Sequence, residues 1–597
     1  MIRKALFVDA KYIPYKVKYF TQCLDVISIN NLQPSVDTII NTLNKIFLET
    51  QEGHYVLSFF SYELGYLLEE RLKPYYRPSV SPLLYVAIFQ NLKETILFPR
   101  EQKSKYTLNF LGLNISKQEY IQAIDKIKDY IARGHTYQVN YTVKIKFHFK
   151  GDPYELFENL LFSQRCEYAF YLEEDDFVIL SLSPELFLRK RGYFLFSSPM
   201  KGTLKRGFLY AEDKRVREDL KKNEKTTAEN IMIVDLIRND LGRICQKGTV
   251  YVRELFKIKT YPTLHQMIST IEGRLEEVNF FEILRSLFPC GSVTGAPKIR
   301  TMEIIRELEP EPRNIYTGAI GYILPNGDFL FNVAIRTLFL RRLGETTFEG
   351  ELGIGAGIVW DSSPENEYEE TLLKAKFLSD PLPFFKLFET FWWERGKINN
   401  LLVYHYRRLI NSARYFLFKI PDELRTFKKF RIYLEEHLTG LTIGVRYRVK
   451  LLLDPSGNIE IIHSKLEEPS WREPIRVGIL TRKTPKNIFH SHKTTVREEY
   501  ENLRKEADKL KLTEIILCDE KGNLLEGTIS NIFLRIGSTF ITPPLELGLL
   551  PGVLREKLLR RREAKEGVIT LEDLRKGELF IGNSVRGLGK VCEWIIL

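Results

Sequence analysis

The sequence predicts a mixed α+β / α/β protein in two domains, on three observations. The chain of 597 residues exceeds what one hydrophobic core organises. Apolar and polar residues alternate over strand-length stretches, broken by capped segments with helical spacing. A proline-rich break, SDPLPFF at residues 379–385, leaves roughly 210 residues beyond it, enough for an independent domain.

Composition narrows the functional classes. Hydrophobic residues make up 44% and charged residues 28%, the balance of a soluble globular protein. The longest apolar runs are strand-sized, so no bilayer span and no membrane partner are expected. The first apolar run stops at Val8 before Asp9, too short for a secretory core, which points to the cytoplasm. The six cysteines form neither a CxxC pair nor a disulfide framework, as in a reducing compartment. The net charge of +11 is spread along the chain, and no nucleic-acid module is present.

Residues 1–110, with runs such as YVLSFFSYELGYLL, read as strands with short helices. Ser116 and Glu119 then form a capping box. Tyr120, Ile124, Ile127 and Ile131 recur at helical spacing, and Gly134 ends the helix. Residues 136–200 alternate and read as antiparallel strands. Three helices follow: 224–238; one opening at Ala296-Pro297, with proline at its first position, and running to Leu308; and one from Ser363-Pro364 to Phe377.

Glu367 and Glu370, three residues apart, project from one face of the third helix, and Glu229 lies on the first. Carboxylates from separate helices suit a hard cation such as magnesium; a solvated face with Glu370 paired to Lys374 is the plain alternative. Between these helices lie GSVTGAPKIRTMEII, IYTGAIGYI, FNVAIRTL and GIGAGIVWDSSPENEYEETLLKAK. On these motifs residues 110–378 resemble the chorismate-utilising enzymes, the family of anthranilate, aminodeoxychorismate and isochorismate synthases. The first domain is then 1–378, with 1–110 as its N-terminal part and the catalytic motifs in 111–378. Large antiparallel sheets with flanking helices are implied.

The resemblance implies that Glu229, Glu367 and Glu370 hold Mg2+, which binds the ring carboxylate of chorismate. Tyr316 and Arg336 would grip the enolpyruvyl carboxylate, a task that suits a planar guanidinium fork. Gly353, Gly355 and Gly357 would let backbone amides approach the substrate, Lys298 would add positive charge, and His265 would sit beside the ring. Many relatives carry an acidic residue where this chain has Thr226; Glu224 or an extra metal-bound water would compensate.

In SSPMKGTLKRG, Lys201 stands where anthranilate synthases usually have alanine and aminodeoxychorismate synthases have lysine. Amination at C4 with retained configuration needs two displacements, and a neutral lysine can supply the first nucleophile. Lys205, Arg206 and the metal would help keep it neutral. Glu185, sixteen residues earlier in LSPELFL, is the expected acid for the leaving hydroxyl. No cysteine lies in a G-x-C-x-G turn, so ammonia would arrive free or from a separate glutaminase subunit.

Beyond the linker, LFETFWWERGKINNLLVYHYRRLINSA, HSHKTTVREEYENLRKEA, EIILCDEKGNLLEGTISNIFL, PPLELGLLPGVLREKLL and ELFIGNSVRGLGKV resemble the fold-type IV pyridoxal-phosphate enzymes. These have two subdomains, here within 386–597. Pyridoxal 5'-phosphate is the implied cofactor. Lys493 would form its Schiff base and Glu526 would protonate the ring nitrogen. Arg408, with the Gly552-Val553 and Ser584-Val585 turns, would hold the phosphate. Arg586 would meet a substrate carboxylate. These motifs fit lyase and aminotransferase alike, and a non-catalytic scaffold binding the glutaminase is the third reading; the fusion partner favours aminodeoxychorismate lyase. Anthranilate synthesis is the alternative for the first domain. A dimer through the second domain stays open.

Overall fold

The computed structural model describes residues 2–30, 34–101, 106–397, 399–468 and 470–597. They form two compact units, 1–206 with 216–384, and 207–215 with 385–597. No sequence signal set residues 207–215 apart.

The first unit is built on one long antiparallel ladder. Gln138–Lys150 pairs with Thr347–Ile358, from Lys150↔Thr347 to Val139↔Ile358. Thr347–Ile358 pairs with Thr337–Arg342, that strand with Phe177–Ser183, and that with Tyr168–Glu174. The ladder runs on through the N-terminal strands to Ala319–Ile323, Phe329–Val333, Leu186–Arg191 and Phe194–Ser198. Leu264–Arg274 closes it, carrying Met200–Lys205 and Tyr251–Thr260. Aromatic and aliphatic side chains fill both faces; Phe177–Ser183 is buried throughout.

The helix Lys117–Ala132 has the expected capping box and buries Tyr120, Ala123, Ile124 and Ile127, about 1.5–3 kcal/mol for each large apolar side chain. Three expectations need correction. Residues 136–200 are not all strand, because Pro153–Gln164 is a helix capped by Asp152. Pro297 is the N-cap of Lys298–Leu308 rather than its first residue. The helix Pro364–Leu373 stops at Lys374, and a separate short helix covers Lys376–Ser379.

The second unit has two parts. Leu387–Glu394, Arg446–Leu453 and Ile459–Lys465 form a small antiparallel sheet beside the helix Leu402–Tyr415. The rest is an eight-stranded mixed sheet in which Ile475–Thr481 lies parallel to both Glu514–Cys518 and Gly587–Ile596. The expected fold class, antiparallel sheets with helices followed by a two-part α/β unit, matches this architecture. No helix among the described residues is long and apolar enough to cross a membrane.

Candidate active sites

Lys201 lies in a β-bulge. The pairing of Met200–Lys205 with Leu264–Arg274 shifts between Met200 and Thr203, and Gly202 takes φ +91°, a conformation glycine adopts freely. The bulge aims the Lys201 side chain inward. Its Nζ lies 3.4 Å from Asn140 Oδ1, and a Cβ on Gly357 would come within 3.3 Å of it. Burial pushes the Lys201 amine below its ordinary value and Lys374 adds to this, while Glu185 and Glu229 act in the opposite sense. Thr226 packs on the bulge: a Cβ at Gly202 would meet its Cγ2 at 2.1 Å.

Glu185 is buried beside this lysine. Its Oε1 accepts from Ser292 Oγ at 2.6 Å and from the Met200 amide at 3.4 Å. Burial outweighs these bonds and the nearby Lys201 charge, so its carboxyl is pushed up to about 7. Ser292 also touches Cys290 Sγ at 3.2 Å. His265 is buried, with Nδ1 3.1 Å from Thr260 Oγ1.

Arg336 sits at φ +50°, a left-handed conformation that a non-glycine residue holds only when its surroundings enforce it. Its Nη1 donates to Gln164 Oε1 at 2.7 Å. Tyr316 stacks against Gly353, where a Cβ would meet Cγ of the ring at 2.1 Å. Gly355 lies against the Tyr141 carbonyl, and its own carbonyl accepts from Lys374 Nζ at 2.9 Å. Lys298 differs from expectation: its Nζ donates to Asp240 Oδ2 at 2.7 Å and to the Leu287 carbonyl at 3.2 Å, so Asp240 takes up its charge.

The acidic residues are not gathered as a closed cage. Glu370 pairs with Lys374 at 3.0 Å, the plain alternative named above. Glu367 accepts from Ser362 Oγ at 2.8 Å, and burial together with Glu370 raises its carboxyl. Among the described residues the one cluster close enough to hold a metal is Glu49, Glu52 and His54. The donor chemistry of Glu229, Glu367 and Glu370 nonetheless suits magnesium, which takes few protein carboxylates and keeps its waters. A divalent cation would also relieve the repulsion between Glu367 and Glu370.

Sequence reasoning missed Gln138, Asn140 and Ser292. Gln138 Oε1 and Asn140 Nδ2 are buried without hydrogen-bond partners, which marks a polar space beside Lys201. On the strand Gln138–Lys150 the two amides open a polar series continued by Thr142, Lys144, Lys146 and His148, so nothing in the sequence sets them apart.

In the second unit Lys493 lines a cavity of about 960 Å3 together with Arg408 and Glu526. Burial pushes its amine well below the ordinary lysine range, and Arg497 and Arg408 push it further. A neutral amine is what an aldehyde cofactor requires. Glu526 accepts from Tyr500 Oη at 2.7 Å and from the Leu550 amide at 3.0 Å; burial lifts its carboxyl to about 7. Gly552 caps the helix Val553–Arg560, and a Cβ there would lie 1.6 Å from Asn531 Oδ1, so only glycine fits.

Two cup residues are placed differently from expectation. Arg408 holds Glu389 through two bonds, Nε to Oε1 at 2.8 Å and Nη2 to Oε2 at 2.6 Å. The Val585 amide donates to Asn583 Oδ1 at 3.0 Å, leaving Ser584 at the tip of the turn. The third Arg408 bond, to the Pro551 carbonyl at 3.1 Å, still holds the guanidinium beside the Gly552 helix start. The donors fit a phosphate-bearing cofactor. Glu389 itself was missed; Arg408 and His405 hold it ionised, down to about 2.

The chain is 40% identical over 277 residues to aminodeoxychorismate synthase component 1 of Bacillus subtilis (strain 168), covering 46% of this chain and 58% of the relative. It is 41% identical over 266 residues to anthranilate synthase component 1 of Aquifex aeolicus (strain VF5), covering 44% and 53%. It thus spans about half the length of the curated relatives it matches. The crystal structure of anthranilate synthase component I from Streptococcus pneumoniae TIGR4 shares the fold, with a TM-score of 0.52 and 24% identity over 61% of this chain and 92% of that one. Residues 386–594 match the amino-transferase class IV family. Residues 4–380 match the chorismate binding enzyme family, and the chain belongs to that family, with a class IV aminotransferase domain fused behind it.

Proposed function

We propose that the chain carries out two consecutive reactions of p-aminobenzoate synthesis. Chorismate and ammonia give 4-amino-4-deoxychorismate and water, and this product then gives p-aminobenzoate and pyruvate. The observation that carries the reading is Lys201: an amine desolvated by a bulge, beside a carboxyl whose value lies near neutrality.

In the first reaction the neutral Lys201 amine adds at C2, and both ring double bonds shift, from C1–C2 and C5–C6 to C1–C6 and C4–C5. The hydroxyl leaves C4 with a proton from Glu185. Ammonia then adds at C4, both double bonds return and the Lys201 amine leaves C2. Arg336 and Tyr316 hold the enolpyruvyl carboxylate, and His265 lies beside the ring. Glu229, Glu367 and Glu370 would hold Mg2+, which supplies positive charge for the ring carboxylate. A separate glutaminase subunit is the proposed ammonia source.

In the second reaction pyridoxal phosphate, when bound, supplies the electron sink. Arg408, the Gly552-Val553 helix start and Ser584 would hold its phosphate, and Glu526 would hold the proton of its ring nitrogen. Lys493 takes the proton from the amine-bearing ring carbon. The enolpyruvyl ether leaves the neighbouring carbon, and aromatisation drives the step.

The test is to incubate the protein with chorismate, an ammonium salt, magnesium and pyridoxal phosphate, and to separate products chromatographically. p-Aminobenzoate and pyruvate are expected, and glutamine alone is not expected to replace ammonium. Anthranilate as the main product overturns the reading for the first unit. Aminodeoxychorismate that persists alongside a loaded second unit overturns the lyase assignment.

A further inference from the structure

One buried guanidinium ties together three stretches of chain that carry the Lys201 site. Arg313 lies in the loop between the helix Lys298–Leu308 and the strand Ala319–Ile323. Its Nε and Nη2 donate to the two oxygens of Glu309 at 2.9 and 2.7 Å. Nη2 also donates to the Asn140 carbonyl at 2.6 Å. Nη1 donates to the Val293 carbonyl at 2.9 Å and to Thr317 Oγ1 at 3.2 Å. The Tyr62 ring covers the guanidinium, with its centroid 4.4 Å away.

Each of these neighbours leads to a group of the site. Asn140 carries the amide oxygen that lies 3.4 Å from Lys201 Nζ. Val293 follows Ser292, whose hydroxyl donates to Glu185. Thr317 Oγ1 donates onward to the Tyr316 carbonyl at 2.6 Å. Glu309 is tied to the first stretch as well, because its Oε1 accepts from the Thr142 amide and hydroxyl at 2.9 and 3.0 Å. Asn314 and Thr317 take φ +58° and +60°, left-handed conformations that non-glycine residues hold only where their surroundings enforce them. A salt bridge alone would need only Glu309. The bonds to Asn140, Val293 and Thr317 use the fixed directions of a planar fork, which an ammonium does not have.

We propose that Arg313, held by Glu309, is a positioning residue of the first reaction: it sets Asn140 against Lys201, Ser292 against Glu185, and Tyr316 against the substrate. The assignment rests on the reading of Lys201 as nucleophile and Glu185 as acid, and adds the group that fixes their spacing.

The test keeps the buried charge and removes the fork. Lysine in Arg313→Lys can still pair with Glu309 but cannot reach the Asn140 and Val293 carbonyls together. Near-UV circular dichroism reports folding. kcat/KM for chorismate consumption should fall by on the order of 10²-fold, while pyruvate release from supplied aminodeoxychorismate persists. A loosened Ser292 bond stabilises ionised Glu185 less, so the alkaline limb of kcat/KM should move up by as much as about 1 pH unit. In a Ser292→Ala background Arg313→Lys should move that limb no further, because the bond it acts through is gone. Glu63 accepts from the Arg313 amide at 2.7 Å, and burial pushes its carboxyl up to about 7, so it titrates in the same range; a shift arising there would persist in the Ser292→Ala background. Thr317→Val cuts only the arm to Tyr316, and should raise KM for chorismate roughly 3- to 10-fold with the limb in place. It remains decisive if Arg313→Lys does not fold. An unchanged rate in folded Arg313→Lys, a limb shift that survives in Ser292→Ala, or an unchanged KM in Thr317→Val overturns the positioning role. If Ser292→Ala alone leaves the limb in place, the acid reading of Glu185 fails, and KM in Thr317→Val decides the positioning role by itself.

Discussion

Removing the Ser292 hydroxyl tests the acid role of Glu185. Ser292 Oγ donates to Glu185 Oε1 at 2.6 Å inside the core, so it stabilises the ionised carboxylate and lowers its pKa. In Ser292→Ala only the long bond from the Met200 amide remains on that oxygen. A buried bond to a charged acceptor contributes about 1.5–3 kcal/mol, and one pKa unit corresponds to about 1.4 kcal/mol. The Glu185 value should therefore rise by roughly 1 to 2 units from about 7. The acid works when protonated, so activity falls as pH rises through its pKa, and the variant should keep activity to higher pH. Lys201 faces Glu185 across the site and governs the acidic limb, because it must be neutral. Burial holds the Cys290 thiol up at about 12, so it stays neutral over the range. The assay is kcat/KM for chorismate consumption against pH, with free ammonia rather than total ammonium held constant. An alkaline limb unmoved in Ser292→Ala, or moved to lower pH, refutes the assignment of Glu185 as the acid.

Three further outcomes follow from the geometry. Lys201→Ala should leave chorismate binding measurable while C4 amination falls by on the order of 10³-fold or more; near-normal amination would mean that ammonia attacks without a lysine adduct. Glu370→Gln should weaken magnesium binding, read by Mn2+ substitution and relaxation, and collapse chorismate consumption while pyruvate release from supplied aminodeoxychorismate persists. Unchanged metal affinity would reduce Glu370 to the partner of Lys374. Lys493→Ala should retain cofactor through Arg408 and the Gly552 helix start, lose the visible band of the loaded chain, and accumulate aminodeoxychorismate; p-aminobenzoate at the parent rate would remove the second unit from the pathway.

What was legible in the sequence is what local physics encodes. The Ser116 and Glu119 capping box needs only its own turn, and the structure closes both of its bonds. Pro153–Gln164 escaped although Leu156, Phe157, Leu160 and Leu161 recur at helical spacing, because its last turn, Leu160 to Gln164, is buried all round and blurs the polar face; Asp152 before Pro153 was the missed start signal. The partners of site residues were less accessible. Ser292 reaches Glu185 across 107 positions and Glu389 meets Arg408 across 19, pairings fixed by tertiary packing alone. Lys298 shows the converse: it lies in an expected motif, yet Asp240 takes up its charge.

The two lysines at the centre of these sites are pushed toward the neutral amine by different means, and the difference is measurable. Lys201 is desolvated but faces Glu185 and Glu229, whose charges favour the ammonium and offset part of the effect of burial. Lys493 is desolvated between Arg497 and Arg408, which disfavour it further, so it lies deeper below the ordinary range. As pH falls, Lys201 should therefore protonate first. Pyridoxal phosphate should still react with the unloaded chain at pH values where chorismate amination has already failed. Stopped-flow absorbance for cofactor capture and product analysis for amination, run over one pH series, compare the two directly. Cofactor capture that fails at a higher pH than amination would show that Arg497 and Arg408 do not depress Lys493, and the charge balance around that amine would have to come from Glu389 and Glu526 instead.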